Sequence, residues 1–268
     1  MSKYAALLAQ VTITTSNQGI RFKEGATTGT VTMPVGTYFL RGDGVSDDLC
    51  LALKNAFDGL VVGNVYTVAL ACSVDPAAIA ATVTISQTGG AAFQILWADA
   101  LTTFDQALLG FTDVNTADST AAKVGTLSPE ALWVSPDVPE FYEPEDQYDI
   151  SVQRARSGRV RALRRGGPYD VRRVSFQFLD SRRVLDWDNT TDPTATFSRF
   201  LEAMSAGLRF EFHATTVSGV VLGALSSTTE IGAGWYFDED TALGFAPERL
   251  QPGMSLYAFS LTLLGYVA

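Results

Sequence analysis

From Leu208 to Ala214 apolar and polar residues alternate: Leu208, Phe210, Phe212 and Ala214 fall on one side of the repeat, and Arg209, Glu211 and His213 on the other. Successive strand side chains point to opposite faces, so this period commits the segment to a half-buried β-strand. Shorter runs of the same kind recur along the chain. Val11, Ile13 and Thr15 alternate, as do Ile20 and Phe22, and Thr30 to Met33 and Thr37 to Leu40 follow Gly and Pro turns. Further strands are expected at Val65 to Cys72, Ala81 to Ser86, Ala92 to Trp97, Val171 to Leu179, Val217 to Leu222, Gly234 to Phe237 and Leu256 to Tyr266. Short strands separated by turn residues make antiparallel sheets.

The helical period interrupts this pattern at a few places. Leu49, Leu53, Ala56, Phe57 and Leu60 keep helical spacing, which predicts a helix over 47–58 with Ser46 as N-cap and Asp47 and Asp48 in its first turn. A short helix is expected from Leu101 to Leu109, stopped by Gly110. Over 193–206, Asp192 is the expected cap and Pro193 the first helical residue, with Phe197, Phe200, Leu201 and Met204 as the buried stripe. Each half therefore reads as strands, one main helix, strands. The fold class is α+β, mainly antiparallel β, as two β-sandwich-like domains each with a covering helix. The expected division is 1–125, a Pro/acidic linker at 126–147, and 148–268. The linker holds Pro129, Pro136, Pro139 and Pro144 around Trp133, Phe141 and Tyr142, aromatics that mark a segment docking on a surface.

Charge is distributed as unevenly as hydrophobicity is regular. Ten of the fifteen arginines lie between Arg154 and Arg183; against Asp170 and Asp180 they leave residues 150–183 at +8, in a chain whose net charge is -10. Residues 137–149, just before this band, carry six carboxylates and no base. The band is expected to fold back at Ser157-Gly158 as a hairpin, where Gly supplies the positive φ of a tight turn. In that register Arg156 faces Arg159, Arg154 faces Arg161 and Val152 faces Leu163. Like charges across a ladder repel, so Arg154, Arg156, Arg159 and Arg161, with Arg164 and Arg165 following, call for an acidic partner. That partner is nucleic acid, the chain's own acidic segments, or a neighbouring copy; otherwise the arginines are simply solvated. A pI near 4.6 and the lack of any aromatic between Arg154 and Arg165 weigh against nucleic acid. Segregated charge suits a head-to-tail ring, whose two contact surfaces differ.

Hydrophobic residues at 47% with 18% charged describe a folded chain, and no run of about 18 apolar residues predicts a membrane span. The apolar run Ala5 to Ala9 is too brief for a signal peptide, so synthesis and use in a cytosolic compartment is expected. Cys50 and Cys72 read as buried thiols, and one histidine, His213, does not make a zinc site. Gly42-Asp43-Gly44-Val45-Ser46-Asp47 lacks the third glycine of a dinucleotide loop. Asp186, Asp188 and Asp192 lack the central glycine and terminal glutamate of a helix-loop-helix calcium loop, and both this cluster and Asp238, Glu239 and Asp240 read as solvated turns. No catalytic constellation emerges, and no cofactor or enzymatic activity is expected.

The segments Gly36-Thr37-Tyr38, Ser46-Asp47-Asp48-Leu49, Leu53-Lys54-Asn55-Ala56-Phe57, Phe93-Gln94-Ile95-Leu96-Trp97 and Leu108-Leu109-Gly110-Phe111 together resemble a module of tailed-bacteriophage virion proteins. Gly166-Gly167, Arg182-Arg183-Val184, Phe197 to Leu201 and Phe210-Glu211-Phe212 are similar to phage tail proteins in which a β-sandwich plus one helix builds rings. The resemblance implies a structural component of the virion, at the distal tail or baseplate, in the tail tube, or as a capsid decoration protein. It also implies a sixfold ring, other tail proteins as partners, a hairpin reaching a neighbour, and assembly in the host cytoplasm. A glycan- or nucleic-acid-binding module is the alternative, with Trp133, Phe141, Tyr142 and Trp235 as the glycan-facing aromatics.

Overall fold

A computed structural model describes residues 2–58, 64–73, 79–135, 140–141, 145–147, 150–154, 160–164, 169–180, 189, 191–204, 210–217, 221–222, 231–237, 246–251 and 254–266, with side chains at 6–58, 64–73, 79–135, 176, 189 and 191–200. The first part runs β1 (Ser2–Ala9), β2 (Val11–Ile13), β3 (Gly19–Glu24), β4 (Thr27–Thr32), β5 (Gly36–Tyr38), α1 (Leu49–Asp58), β6 (Val65–Ser73), β7 (Ala81–Thr88), β8 (Phe93–Ile95), β9 (Lys123–Val124) and β10 (Leu132–Ser135). There follow β11 (Glu140–Phe141), β12 (Glu145–Gln147), β13 (Ile150–Arg154), β14 (Val160–Arg164) and β15 (Tyr169–Asp180). Then come α2 (Phe197–Met204), β16 (Phe210–Val217), β17 (Val221–Leu222), β18 (Ile231–Phe237), β19 (Ala246–Gln251) and β20 (Met254–Tyr266). The class is α+β and mainly antiparallel β, as the alternation predicts.

The largest sheet has nine strands in the order β10-β1-β16-β18-β20-β15-β11, with β12 also on β15 and β19 on β20. Its first two members come from the N-terminal half of the chain. β1 lies between β10 and β16, pairing Leu7 with both Trp133 and Phe212. A central strand covered on both faces has no polar side to alternate with, which is why Ala6, Leu7, Leu8 and Ala9 form a continuous apolar run. β10 is likewise buried at all four positions. The expected linker at 126–147 is corrected on this point. Its prolines and carboxylates suggest a connection, yet it contains β10, β11 and β12, three strands of the large sheet.

The smaller sheets are β4-β3-β8, β17-β6-β7-β9 and β2-β5, and α1 packs against β6 and β4. Phe22, Phe57, Tyr66 and Phe93 pack there with ring centroids 5.3 to 6.1 Å apart, in edge-on and tilted geometries that suit the aromatic quadrupole. Of the short helix expected at Leu101 to Leu109, only a 3-10 turn forms, Gln106–Leu109. The Asp105 carboxylate accepts from the Ala107 N–H at its start, and Gly110 ends it at φ 75°. A Cβ at Gly110 would lie 2.0 Å from the Leu127 carbonyl oxygen, so only glycine fits both the dihedral and the space.

Candidate functional site

The basic band is carried by two ladders. At its root β12 pairs with β15, Gln147 opposite Tyr169, and Tyr169 also pairs with Tyr266 at the end of β20. Beyond that point in sequence, β13 and β14 form a hairpin that, among the described residues, is hydrogen-bonded to no other strand. Its register differs by one residue from the expected one. Ile150 faces Arg164, Val152 faces Ala162, Gln153 faces Arg161 and Arg154 faces Val160. The arginines at 154 and 161 therefore stand opposite uncharged residues, and the like-charge pairing is absent. Because the strand period is two, the shift also moves them to opposite faces. By register, Arg154 and Arg164 share a face with Ile150, Val152, Val160 and Ala162, while Arg161 shares the other with Ser151, Gln153 and Leu163.

The physical reason lies in the turn: Ser in the first position of a two-residue turn fits poorly, and the strands end with five residues between them. Arg156, Arg159 and Arg165 lie outside the described residues. From Gln147 to Arg154 is seven residues, an extended reach of at most ~23 Å at about 3.3 Å per residue.

The expected docking aromatics separate. Trp133 is fully buried between Phe197 and Phe176, with ring centroids at 4.8 and 5.3 Å, and so is a core residue where β10 meets α2. Phe141 sits in β11 opposite Val174, and Tyr142 lies outside the described residues. Beside this core is a buried polar clamp. The Asp192 carboxylate accepts from the Ser128 N–H at 2.8 Å, the Ser128 hydroxyl at 2.6 Å and the Thr194 hydroxyl at 2.9 Å, while Ser128 Oγ accepts from the Ala81 N–H at 3.1 Å. Asp192 thus ties the segment before β10 to the turn before α2. Pro193 opens a 3-10 turn, Pro193–Ala195, and the α-helix begins only at Phe197.

The Gly42 to Asp47 loop is organised by the residue that follows it. Asp48, 1% exposed, accepts from the backbone N–H groups of Gly42, Gly44 and Cys50 at 2.9 to 3.0 Å. The cap of α1 is therefore Asp48, where Ser46 was expected, because only Asp48 reaches both the loop and the helix start. Arg41 pairs with Asp43 at 3.6 Å and with Asp47, and lies over the Phe39 ring. These interactions close a loop whose glycines at 42 and 44 have φ of 71° and 77°. Glu24 is also buried, and accepts from the side-chain amides of Asn64 and Gln87. Burial first, and then the adjacent Glu24, pushes the Tyr66 phenol above its ordinary range.

Cys50 and Cys72 are free and buried. Burial pushes the Cys72 thiol up to about 12, and burial with the Asp48 charge raises that of Cys50. His213 is in β16 opposite Ala6. Asp186, Asp188 and Asp238 to Asp240 lie outside the described residues. Among the described residues no group of three or more His, Cys, Asp or Glu could hold a metal ion, and no helix is long and apolar enough to cross a membrane.

No protein-family model matches the chain, and no curated protein matches it. Among solved structures it is similar to a mavirus penton protein, known from a SeMet-labelled crystal structure. The identity is 11%, over 99% of this chain and 86% of that one, with a TM-score of 0.24. At that TM-score the two chains do not share enough geometry to assign a function.

Proposed function

We propose that the chain is a non-enzymatic structural subunit of a bacteriophage virion, assembling with copies of itself into a ring at the distal tail or baseplate. The observation that carries this reading is the β13–β14 hairpin, basic in an otherwise acidic chain and paired with no other strand among the described residues. Its open edges and its arginines call for a partner with carboxylates to offer. The chain's other segments carry -5, -6 and -7 at 1–136, 137–149 and 184–268, so a second copy supplies that charge. A head-to-tail contact between unlike surfaces closes into a ring when the rotation allows. The resemblance to phage tail proteins supports the tail as the site, and sixfold order with it. A tail-tube subunit and a capsid decoration protein are variants of the same reading. It is further supported by the buried acids: Asp48 and Asp192 are occupied in holding backbone and hydroxyl groups.

The test is electron microscopy and native mass spectrometry of the purified chain, with detection of the chain in virions. Rings, and presence in the particle, are expected. Because Arg154 and Arg164 share a hairpin face by register, Arg154→Glu with Arg164→Glu should abolish rings while leaving the melting temperature within about 2 °C. A strict monomer at high concentration together with absence from virions refutes the proposal. Binding to duplex DNA at low salt, lost on raising salt and on the double reversal, would assign the band to nucleic acid instead.

A further inference from the structure

The outer edge of β4 is open. In the β4-β3-β8 sheet, β3 turns the backbone groups of Gly19 and Arg21 away from β4: the Gly19 and Arg21 N–H groups donate to the Thr103 and Thr102 hydroxyls, and the Arg21 carbonyl accepts from Leu96. Gly19 faces Thr32 and Arg21 faces Thr30, so these are the non-hydrogen-bonded pairs of the β3–β4 ladder, and Lys23 opposite Thr28 follows by the period of two. The N–H and C=O groups of Thr28, Thr30 and Thr32 therefore face outward. No strand pairs with that edge among the described residues, and all three threonines are exposed.

Natural sheets blunt such edges with Lys, Pro, bulges or very short strands. β4 is six residues, Thr27-Thr28-Gly29-Thr30-Val31-Thr32, in unbroken register with β3 and with no charge or proline. Other edges are shorter or modified: β9 has two residues including Lys123, β17 has two, and β19 carries Pro247 and a register shift.

We infer that the β4 edge is a strand-addition surface whose occupant is β4 of a second copy, joined antiparallel about a two-fold axis through Thr30. Such a pairing is self-complementary. With Thr30 opposite Thr30 of the second copy, Thr28 falls opposite Thr32 and Thr32 opposite Thr28, so every outward residue enters a hydrogen-bonded pair. Those three pairs exchange two N–H···O bonds each. The side chains brought together are threonines, which pair favourably across a ladder, and no like charges meet. An acidic or basic foreign strand would find no counter-charge on β4 itself, whereas its own copy needs none. The two three-stranded sheets become one of six, β8-β3-β4 running into β4-β3-β8. This contact is separate from the arginine hairpin and does not depend on it.

The register makes a positional test. In the full chain, Thr30→Cys places two thiols opposite each other at a Cα separation of about 5.5 Å, within disulfide range. Cys50 and Cys72 are buried and stay silent. Under copper-phenanthroline oxidation, Thr30→Cys should give a covalent dimer on non-reducing gels. Thr28→Cys alone and Thr32→Cys alone should give at least tenfold less, and a mixture of those two should cross-link. A Thr30→Cys chain that stays monomeric refutes a second copy as the occupant. Cross-linking of Thr28→Cys alone to the same extent as Thr30→Cys refutes the register and the two-fold axis.

Discussion

Replacing Trp133 with alanine separates a core residue from a docking residue by a wide margin. The side chain is fully buried, with Phe197 at 4.8 Å and Phe176 at 5.3 Å between ring centroids. Removing a buried Trp to Ala costs about 3–5 kcal/mol, combining lost transfer energy with the cavity left behind. At about 2–4 °C per kcal/mol for a chain of roughly this size, the melting temperature should fall by about 6–20 °C. An exposed docking aromatic would change stability by no more than about 0.5 kcal/mol, or about 2 °C. Thermal unfolding followed by near-UV circular dichroism measures the difference. Trp133→Phe keeps an aromatic between the same two rings and should lose less than half as much. A melting temperature unchanged within 2 °C in Trp133→Ala would refute the placement of Trp133 in the core. So would an equal loss in Trp133→Phe and Trp133→Ala, since packing volume would then be irrelevant.

Gly110→Ala forces a side chain into a left-handed position against the Leu127 carbonyl and should destabilise by about 2 kcal/mol or more, read as a lowered midpoint in chemical denaturation. Asp48→Ala leaves the Gly42, Gly44 and Cys50 N–H groups without their acceptor; a loss of about 2–4 kcal/mol is expected, with faster amide exchange at all three positions. Cys50 and Cys72, buried and held as neutral thiols by raised pKa values, should resist iodoacetamide at pH 8 in the native chain and react within minutes in denaturant, as mass spectrometry would show.

Where one face of an element is wet, the sequence marks it. β3, β7 and α1 carry a period that separates a buried side from a polar one, and each is recognisable within a few residues. Where both faces are covered the period vanishes. β1 reads as a bare apolar run and β10 as part of a proline-rich connection, although together they form one side of the largest sheet. Pairing between residues far apart in sequence, such as Leu7 with Trp133 and Phe212, leaves no local trace at all. The clamp at Asp192 was half legible. Its place before a helix is readable, but its partner Ser128 lies 64 residues away. The hairpin was visible through its arginines and its turn glycine, whereas its register depended on loop length, which composition does not specify.

The two contacts proposed for the chain belong to different symmetries, and this makes them separable. The arginine hairpin meeting an acidic surface is heterologous and generates a ring of n copies. The β4 edge meeting itself is isologous and generates a pair. Where the two-fold axis meets the ring axis at a right angle, both together give two rings back to back, with 2n copies and dihedral symmetry. Thr30→Pro removes an outward-facing N–H and the exposed hydroxyl that accepts from Arg21, but no β3–β4 backbone hydrogen bond, so it keeps that ladder while blocking the two-fold contact. Native mass spectrometry of Thr30→Pro should then show rings of n, the Arg154→Glu, Arg164→Glu chain should show dimers, and the unsubstituted chain should show only even-numbered assemblies. Loss of both rings and dimers from either variant alone would mean that a single surface makes both contacts, and the division into hairpin and edge would fail.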